Sequence, residues 1–352
     1  MNPSITIEGR QIGREHPPYI IAELSANHNG DIDQALKLID AAVDAGADAL
    51  KLQTYTADTL TIDSDAPDFQ IKGGLWDGRT LYDLYQQAYT PWEWHETLFA
   101  HAKKRGITLF SSPFDTTATN LLDELGTPAF KIASFEAIDL PLIRYVAGKG
   151  KPMIISTGMA DLEEIAEAVQ AAREGGCEEL VLLHCVSGYP APTEDYKLAT
   201  LADIQRRFDV PVGLSDHTLN NVSAIASVAL GATMIEKHFT LDRNGGGPDD
   251  SFSLEPADLK QLCRDARIAW EAVGLVDYGL KSSERSNTVF RRSLYAVQDI
   301  PKGTAITAEH VRSIRPGYGL APKHLDTVLG SVAREDIPRA TAMRWDLIET
   351  HT

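Results

Sequence analysis

From Tyr19 to Trp270 the chain repeats one unit: a short apolar run ending in a polar residue, then a longer stretch with apolar residues at helical spacing. Such repetition leaves few folds open, because strands joined through helices lie parallel in a sheet that the helices must cover. The expected strands are Tyr19–Leu24, Ala49–Gln53, Thr108–Ser111, Ala129–Ile132, Met153–Ser156, Leu180–His184, Val210–Leu214 and Met234–Lys237. They number about eight, the count that closes a barrel. Amphipathic helices are expected at Ile32–Ala45, with Ala35, Leu38, Ile39, Ala42 and Val43 on one face, and at Leu162–Glu174, with Ile165, Ala166, Val169 and Ala172. Asp31 and Asp161 stand where N-caps belong, and Gly46, Gly106, Gly175 and Gly231 follow helices, where a left-handed residue is easiest for glycine. A doubly wound open sheet has the same alternation. Closure is favoured because no Gly-x-Gly-x-x-Gly turn follows the first strand and nearly every strand end is polar, so the expected fold is an α/β (β/α)8 TIM barrel over residues 1–277.

Two segments break the rhythm. Tyr55 to Pro91 is long for a strand-to-helix connection and contains the aromatic, glycine-rich run Gly73 to Tyr85. It reads either as a lid or sugar-binding loop on the substrate face, or as an ordered excursion that packs its own aromatics. After Trp270 comes a polar linker at 278–289, with Lys281, Ser282, Ser283, Glu284 and Arg285, and then a small β-rich module at 290–352. Its expected strands include Ser293–Val297 and Val311–Ile314, with Gly303, Gly317, Gly319 and Gly330 as turns and Pro301, Pro316, Pro322 and Pro338 as breakers. A module of this size depends on packing against something else.

Composition narrows the partners. A formal charge of −17 and a pI near 5.0 argue against nucleic acid or an anionic membrane surface, so an anionic substrate needs a local basic pocket. Cys177, Cys185 and Cys263 lack zinc-ribbon spacing and suit reduced thiols. No basic and apolar leader opens the chain at Met1 to Thr6, and no run reaches a membrane-spanning length, so a cytoplasmic protein is expected.

The strand ends supply the candidate chemistry. In chain order they carry Glu23, Asn27 and His28; Lys51 and Gln53; Ser111 and Ser112; Lys131, Ser134 and Glu136; Ser156 and Thr157; His184, Ser187 and Tyr189; Ser215 and His217; Lys237 and His238. Lysines, hydroxyls and backbone donors aimed at one rim are what a phosphate plus a carboxylate require. Singly, a strand-end serine is most often a helix cap and a barrel lysine often pairs with an acid; the weight lies in their convergence. His217 and His238 each follow an apolar run at neighbouring strand ends. As neutral imidazoles they either satisfy local hydrogen bonds or share one divalent metal with water and substrate.

Glu23-Leu24-Ser25-Ala26-Asn27-His28-Asn29-Gly30, Lys51-Leu52-Gln53-Thr54, Phe130-Lys131-Ile132-Ala133-Ser134, Ser156-Thr157-Gly158-Met159, Leu214-Ser215-Asp216-His217 and Glu236-Lys237-His238-Phe239 together resemble the sialic acid synthase family. Residues 290–352, with Arg315-Pro316-Gly317-Tyr318-Gly319, are similar to its antifreeze-like (SAF) domain, and the likeness runs from about Tyr19 to Ile348. Gly74 to Tyr85 and Thr90 to His95 resemble the pseudaminic acid synthase branch. The resemblance implies condensation of phosphoenolpyruvate with an N-acetylated amino sugar, here 2,4-diacetamido-2,4,6-trideoxy-L-altrose, to a nonulosonic acid and phosphate. The neuraminic and legionaminic acid branches share the core motifs. A non-catalytic carbohydrate-binding protein is the alternative from another class, and it leaves the lysines and serines without a purpose.

Carried over by motif, the roles are these. His217 and His238 hold a divalent metal, Mn²⁺ first, with Mg²⁺, Co²⁺ or Zn²⁺ as alternatives, which polarises the sugar aldehyde. Lys51, Ser112, Lys131, Ser134, Ser156, Ser187 and Ser215 cradle phosphoenolpyruvate. Glu23 handles the proton of the water that adds to C2 or stabilises the developing cation, and Gln53, Glu136, Tyr189 and Asp249 contact the sugar or the metal-bound water, with Asp250 competing for the last role. Arg315 reaches the active site of the partner subunit in a domain-swapped homodimer.

Overall fold

The computed structural model describes residues 3–350, which form two compact units, Met1–Gly274 and Leu275–Thr352. A hairpin precedes the barrel, with β1 (Ser4–Ile7) antiparallel to β2 (Arg10–Gly13). The barrel strands are β3 (Tyr19–Glu23), β4 (Ala49–Thr54), β5 (Thr108–Pro113), β6 (Phe130–Ile132), β7 (Met153–Ser156), β8 (Leu180–Cys185), β9 (Val212–Ser215) and β10 (Met234–His238). All are parallel, and β10 pairs with both β9 and β3 to close the sheet.

Side-chain alternation divides each strand between two cores. Ala22, Leu50, Leu52, Leu109 and Ile235 face the surrounding helices, with a second such layer formed around Phe130, Ile132, Ile155, Leu182 and Val212. Ile21, Ala49, Phe110, Ala129, Ile154, Val181, Leu183 and Met234 face inward. Ile5, Ile7 and Ile12 of the hairpin join this inner cluster. The hairpin was not expected from sequence, although its alternating isoleucines around Glu8-Gly9 carry the signal. It packs against one end of the barrel interior, and the polar residues occupy the other.

The helices end much as their sequences specify. Asp31 accepts a hydrogen bond from Asp33 N, and Asp161 accepts from Glu163 N and Glu164 N. Gly46, Gly106 and Gly231 have positive φ, but Gly175 does not: φ is −74° there and +97° at Gly176. Gly175 serves close packing instead. A Cβ at that position would lie 2.6 Å from Ala147 Cβ and 2.7 Å from Arg144 O.

In the second unit, Ser282–Phe290, spanning most of the expected linker and the first residue of the module after it, forms a 3-10 run. β11 (Ser293–Ala296) pairs antiparallel with β12 (Val311–Ile314), and β13 (Val332–Ala333) with β14 (Ile348–Glu349). Leu294, Ile300, Ile306, Val311, Ile337, Met343 and Ile348 form its core. Ser293 Oγ donates to Pro316 O at 2.6 Å and accepts from Gly319 N at 2.9 Å, which fixes the turn after Arg315.

Gly213 is inward-facing on β9, and a Cβ there would stand 2.6 Å from Leu183 Cδ2 and 2.9 Å from Met234 Cβ. Gly213→Ala is expected to cost about 1–3 kcal/mol of stability by overpacking, read as a lower urea midpoint with an unchanged slope.

Candidate active site

Parity along the strands selects which residues meet. Glu23, Lys51, Gln53, Ser112, Lys131, Ser156, Ser215, Glu236 and His238 continue the inward-facing register of Ile21, Ala49, Phe110, Ala129, Ile154, Gly213 and Met234. Four of them form a buried cluster of alternating charge. Lys51 Nζ lies 2.8 Å from Glu23 Oε2 and 3.8 Å from Glu236 Oε1, and Lys131 Nζ lies 3.1 Å from Glu236 Oε1. Ser112 Oγ accepts from Lys51 Nζ at 3.2 Å, and Ser215 Oγ donates to Glu236 Oε1 at 3.5 Å.

Burial and neighbouring charge compete within this cluster. Burial pushes the Glu23 carboxyl up, Lys51 opposes it, and Glu236 adds to the rise. Burial would raise Glu236 too, yet Lys131 and Lys51 hold it below the usual carboxylate range. Lys51 is raised, because Glu23 and Glu236 outweigh burial, whereas burial prevails at Lys131 and lowers it.

His217 and His238 face each other with ring centroids 5.4 Å apart. His217 Nδ1 is 2.8 Å from Val186 O, which leaves its other nitrogen outward of that bond, and His238 Nδ1 is buried with no hydrogen-bond partner. Burial lowers His217 to about 4 and takes His238 well below its ordinary value, so both are neutral near pH 7. Unprotonated nitrogens, one of them unpartnered, fit a divalent ion. Among the described residues no group of three or more His, Cys, Asp or Glu is placed to hold a metal ion. Asp249 Oδ2 is 3.8 Å from His238 Nδ1.

A cavity of about 390 Å³ reaches His238, with Ser25, Gln53, Ser134, Glu136, Tyr189 and Asp249 among the rest of its polar lining. Gln53 Nε2 donates to Glu23 Oε1 at 2.8 Å and to Ser25 Oγ at 3.0 Å, linking the cavity to the charge cluster. Ser25 Oγ also hydrogen-bonds Asp249 Oδ2. Asp250 turns away and accepts from Thr240 Oγ1, Gly247 N and Asn29 Nδ2. Asp249 is therefore the residue at the cavity, where burial raises it to about 6. Tyr189 stacks at 4.4 Å on the His217 ring, and Ser187 Oγ donates to Ser134 Oγ at 2.8 Å.

The opposite wall is apolar and comes from the long insertion: Tyr55, Leu60, Ile71, Trp76, Leu81, Leu84 and Tyr85. Trp76 Nε1 donates to Pro248 O at 3.1 Å, and its ring lies 5.9 Å from Tyr189. The two readings of this segment meet, since Tyr55 packs edge-on against Tyr85 while both line the cavity.

Some strand-end residues serve elsewhere. His28 bonds Gly30 N and Thr90 and packs on Trp94, and His184 bonds Tyr196 O. Lys237 is adjacent to His238, and neighbours on a strand cannot face the same way; its ammonium is bonded to Asp216, Thr218 and Asn220. The residue at the site is Glu236. Sequence reasoning overlooked it, although its shared parity with His238 was readable. Arg315 belongs to the second unit and is exposed after β12.

A profile of the NeuB family matches residues 38–278, and one of the SAF domain matches residues 291–349. The chain belongs to the NeuB family. Pseudaminic acid synthase of Campylobacter jejuni is 46% identical over 93% of this chain and 95% of its own length. Pseudaminic acid synthase of Helicobacter pylori is 41% identical over 95% of this chain and 98% of its own. The structure of N-acetylneuraminic acid synthetase from Leptospira borgpetersenii, in complex with citrate, superimposes with a TM-score of 0.73 at 31% identity, covering 82% of this chain and 95% of that one. The barrel, its buried cluster and the SAF unit are thus the framework of a NeuB-family protein.

Burial raises Glu136 to about 7, and its Oε2 has no partner. A carboxyl raised on folding adds stability fully below about pH 4.5 that is lost as pH rises through about 7. Glu136→Gln is therefore expected to stabilise the fold at about pH 8 by on the order of 2–3 kcal/mol relative to its effect at about pH 5. Urea unfolding at the two pH values checks the sign.

Proposed function

We propose that this NeuB-family chain is a pseudaminic acid synthase, a transferase that condenses phosphoenolpyruvate with 2,4-diacetamido-2,4,6-trideoxy-L-altrose and releases phosphate. The observation that carries this reading is a division within one barrel mouth. Paired lysines among hydroxyls stand in a buried cluster outside the cavity lining, and of the two neutral imidazoles His238 lines the half-apolar cavity. The first half suits a small molecule bearing phosphate and carboxylate. The second suits a sugar with acetamido methyls and a methyl at C6, which the wall of Leu60, Ile71, Trp76, Leu81 and Leu84 can cover.

Unpaired polar atoms support a bound ligand. Among the described residues, buried side-chain atoms of Glu136, Ser156, Glu236 and His238 at the barrel mouth have no hydrogen-bond partner, whereas Glu23 Oε2 is met by Lys51 at 2.8 Å. Each unpartnered atom costs about 1–3 kcal/mol unless something meets it. A substrate with many oxygens does so.

Lys51 and Lys131, with Ser112, Ser134, Ser156, Ser187 and Ser215, hold phosphoenolpyruvate through charge-assisted hydrogen bonds that keep C3 at attack distance from the aldehyde. His217 and His238 are the residues that would hold a divalent ion, Mn²⁺ by preference over Mg²⁺, Co²⁺ or Zn²⁺. When bound, such an ion supplies Lewis-acid polarisation of the sugar aldehyde. Gln53, Glu136, Tyr189 and Asp249 orient the open-chain sugar. As C3 attacks, positive charge develops at C2, and the Glu23 carboxylate stabilises it and takes a proton from the water that adds there. Cleavage of the C2–O bond then releases inorganic phosphate and leaves the 2-keto acid.

No helix among the described residues is long and apolar enough to cross a membrane, and Cys177, Cys185 and Cys263 form no disulfide. These observations support a cytoplasmic enzyme. Its working form is a domain-swapped homodimer in which Arg315 completes the partner's site.

Phosphate release on incubation with phosphoenolpyruvate and the altrose derivative tests the reading, with the neuraminic and legionaminic precursors as controls; release with a control sugar alone would overturn the choice of substrate. His217→Ala or His238→Ala is expected to lower kcat by about 1,000-fold or more while calorimetry still detects phosphoenolpyruvate binding. Mixing Arg315→Ala with Glu23→Gln subunits is expected to restore about a quarter of the activity if Arg315 acts across the dimer, and none if it acts within its own chain.

A further inference from the structure

His217 lies beyond the end of β9, whose last residue is Ser215. The final backbone bond from that segment to β10 is Asp216 N to Glu236 O at 2.9 Å. The β-ladder therefore fixes His238, which is within β10 and paired with Glu23, but does not reach His217. Among the described residues, His217 is otherwise anchored only to the segment after β8, where its N–H donates to Tyr196 Oη at 2.6 Å, its carbonyl accepts from Ala191 N at 3.1 Å and its Nδ1 meets Val186 O at 2.8 Å. A tie between the two histidine-bearing segments has to come from another contact.

That link is an ion pair on the far side of the strands. Lys237 Nζ donates to Asp216 Oδ2 at 2.9 Å, and the two side chains are 1% and 0% exposed. All three donors of the ammonium are used, since it also reaches Thr218 O and Asn220 O, each at 2.8 Å. Asp216 Oδ1 accepts from Thr218 N at 2.9 Å. Each member of the pair immediately precedes one histidine, so the contact acts as a side-chain rung where the backbone rungs have stopped.

A buried ion pair is a poor way to gain stability, because desolvation offsets the attraction and apolar residues of similar size do as well. Lys237 follows Ile235 on the face that packs against the helices, where aliphatic residues otherwise prevail. We infer that Asp216 and Lys237 are positioning residues that hold His217 and His238 at the separation needed to share one ligand. The inference rests on the reading of that histidine pair as a divalent metal site. Neither residue faces the cavity, so any effect on chemistry must pass through the imidazoles.

Three variants of the full chain test this: Asp216→Asn, Lys237→Met, and the two combined. Either single change leaves a buried polar partner unmatched and lowers the melting temperature, while the double variant removes both charges and regains part of it, Thr218 O and Asn220 O still lacking the ammonium. Mn²⁺ titration by calorimetry is expected to show at least a tenfold loss of affinity in the double variant despite its recovered stability, with phosphoenolpyruvate binding unchanged. Histidine-selective ¹⁵N spectra without metal supply a second readout. Single narrow ring resonances for His217 and His238 in the parent should broaden or split in the double variant. A stable double variant with parental Mn²⁺ affinity and parental ring resonances would overturn the positioning role. A parent chain that binds no Mn²⁺ would instead overturn the metal reading, and the ring resonances would still decide whether the pair positions the histidines.

Discussion

Everything in the barrel mouth depends on the buried cluster of Glu23, Lys51, Glu236 and Lys131. Four charges out of water are costly unless each faces an opposite neighbour, and here the signs alternate through contacts of 2.8, 3.8 and 3.1 Å. The cluster exists only because the sheet closes. Glu23 is on the first barrel strand and Glu236 on the last, and the pairing of β10 with β3 sets His238 opposite Glu23. An open sheet would leave Glu23 beside Lys51 on β4 but put Glu236 at the opposite edge, out of reach of both lysines.

The ion pairs also explain how an acidic protein can bind an anion. With a net charge of −17 the surface repels anions, so attraction for the proposed phosphoenolpyruvate has to be local and dry. Glu23 and Glu236 hold the two ammonium groups in place before substrate arrives, which lowers the reorganisation needed on binding. At the other half of the mouth burial acts in the opposite sense. It removes the charge from both imidazoles and raises Glu136 to about 7 and Asp249 to about 6. In the function proposed, one enclosed space thus presents cations to one substrate and neutral donors and acceptors to the other.

Much of the fold was legible because periodicity is a local property of the chain. The eight expected strands fall within two residues of those observed at every end, and Asp31 and Asp161 cap the helices they precede. Where local reading fell short, the reasons are physical. Gly175 was read as a left-handed cap, but its lack of a side chain admits Ala147 and Arg144 of a neighbouring helix, a contact invisible to local rules. Lys237 was grouped with His238 at one strand end, although alternation sends it outward and brings Glu236 in. The insertion at 55–91 announced its aromatics without saying what they face; the cavity wall they build with Tyr189 and Pro248 comes from segments more than a hundred residues apart.

By itself the sequence determined the alternating architecture, the residue types at each strand end and the resemblance carried by six ordered motifs, since all of these are written in spacing along the chain. Tertiary structure decided which of those residues share a site. Closure of the barrel joined Glu23 to His238, the geometry of the glycine loop put Asp249 at the cavity and Asp250 behind it, and burial set the protonation of His217 and His238. These are effects of distance and dielectric between residues far apart in the chain, and neither exists until the sheet has closed.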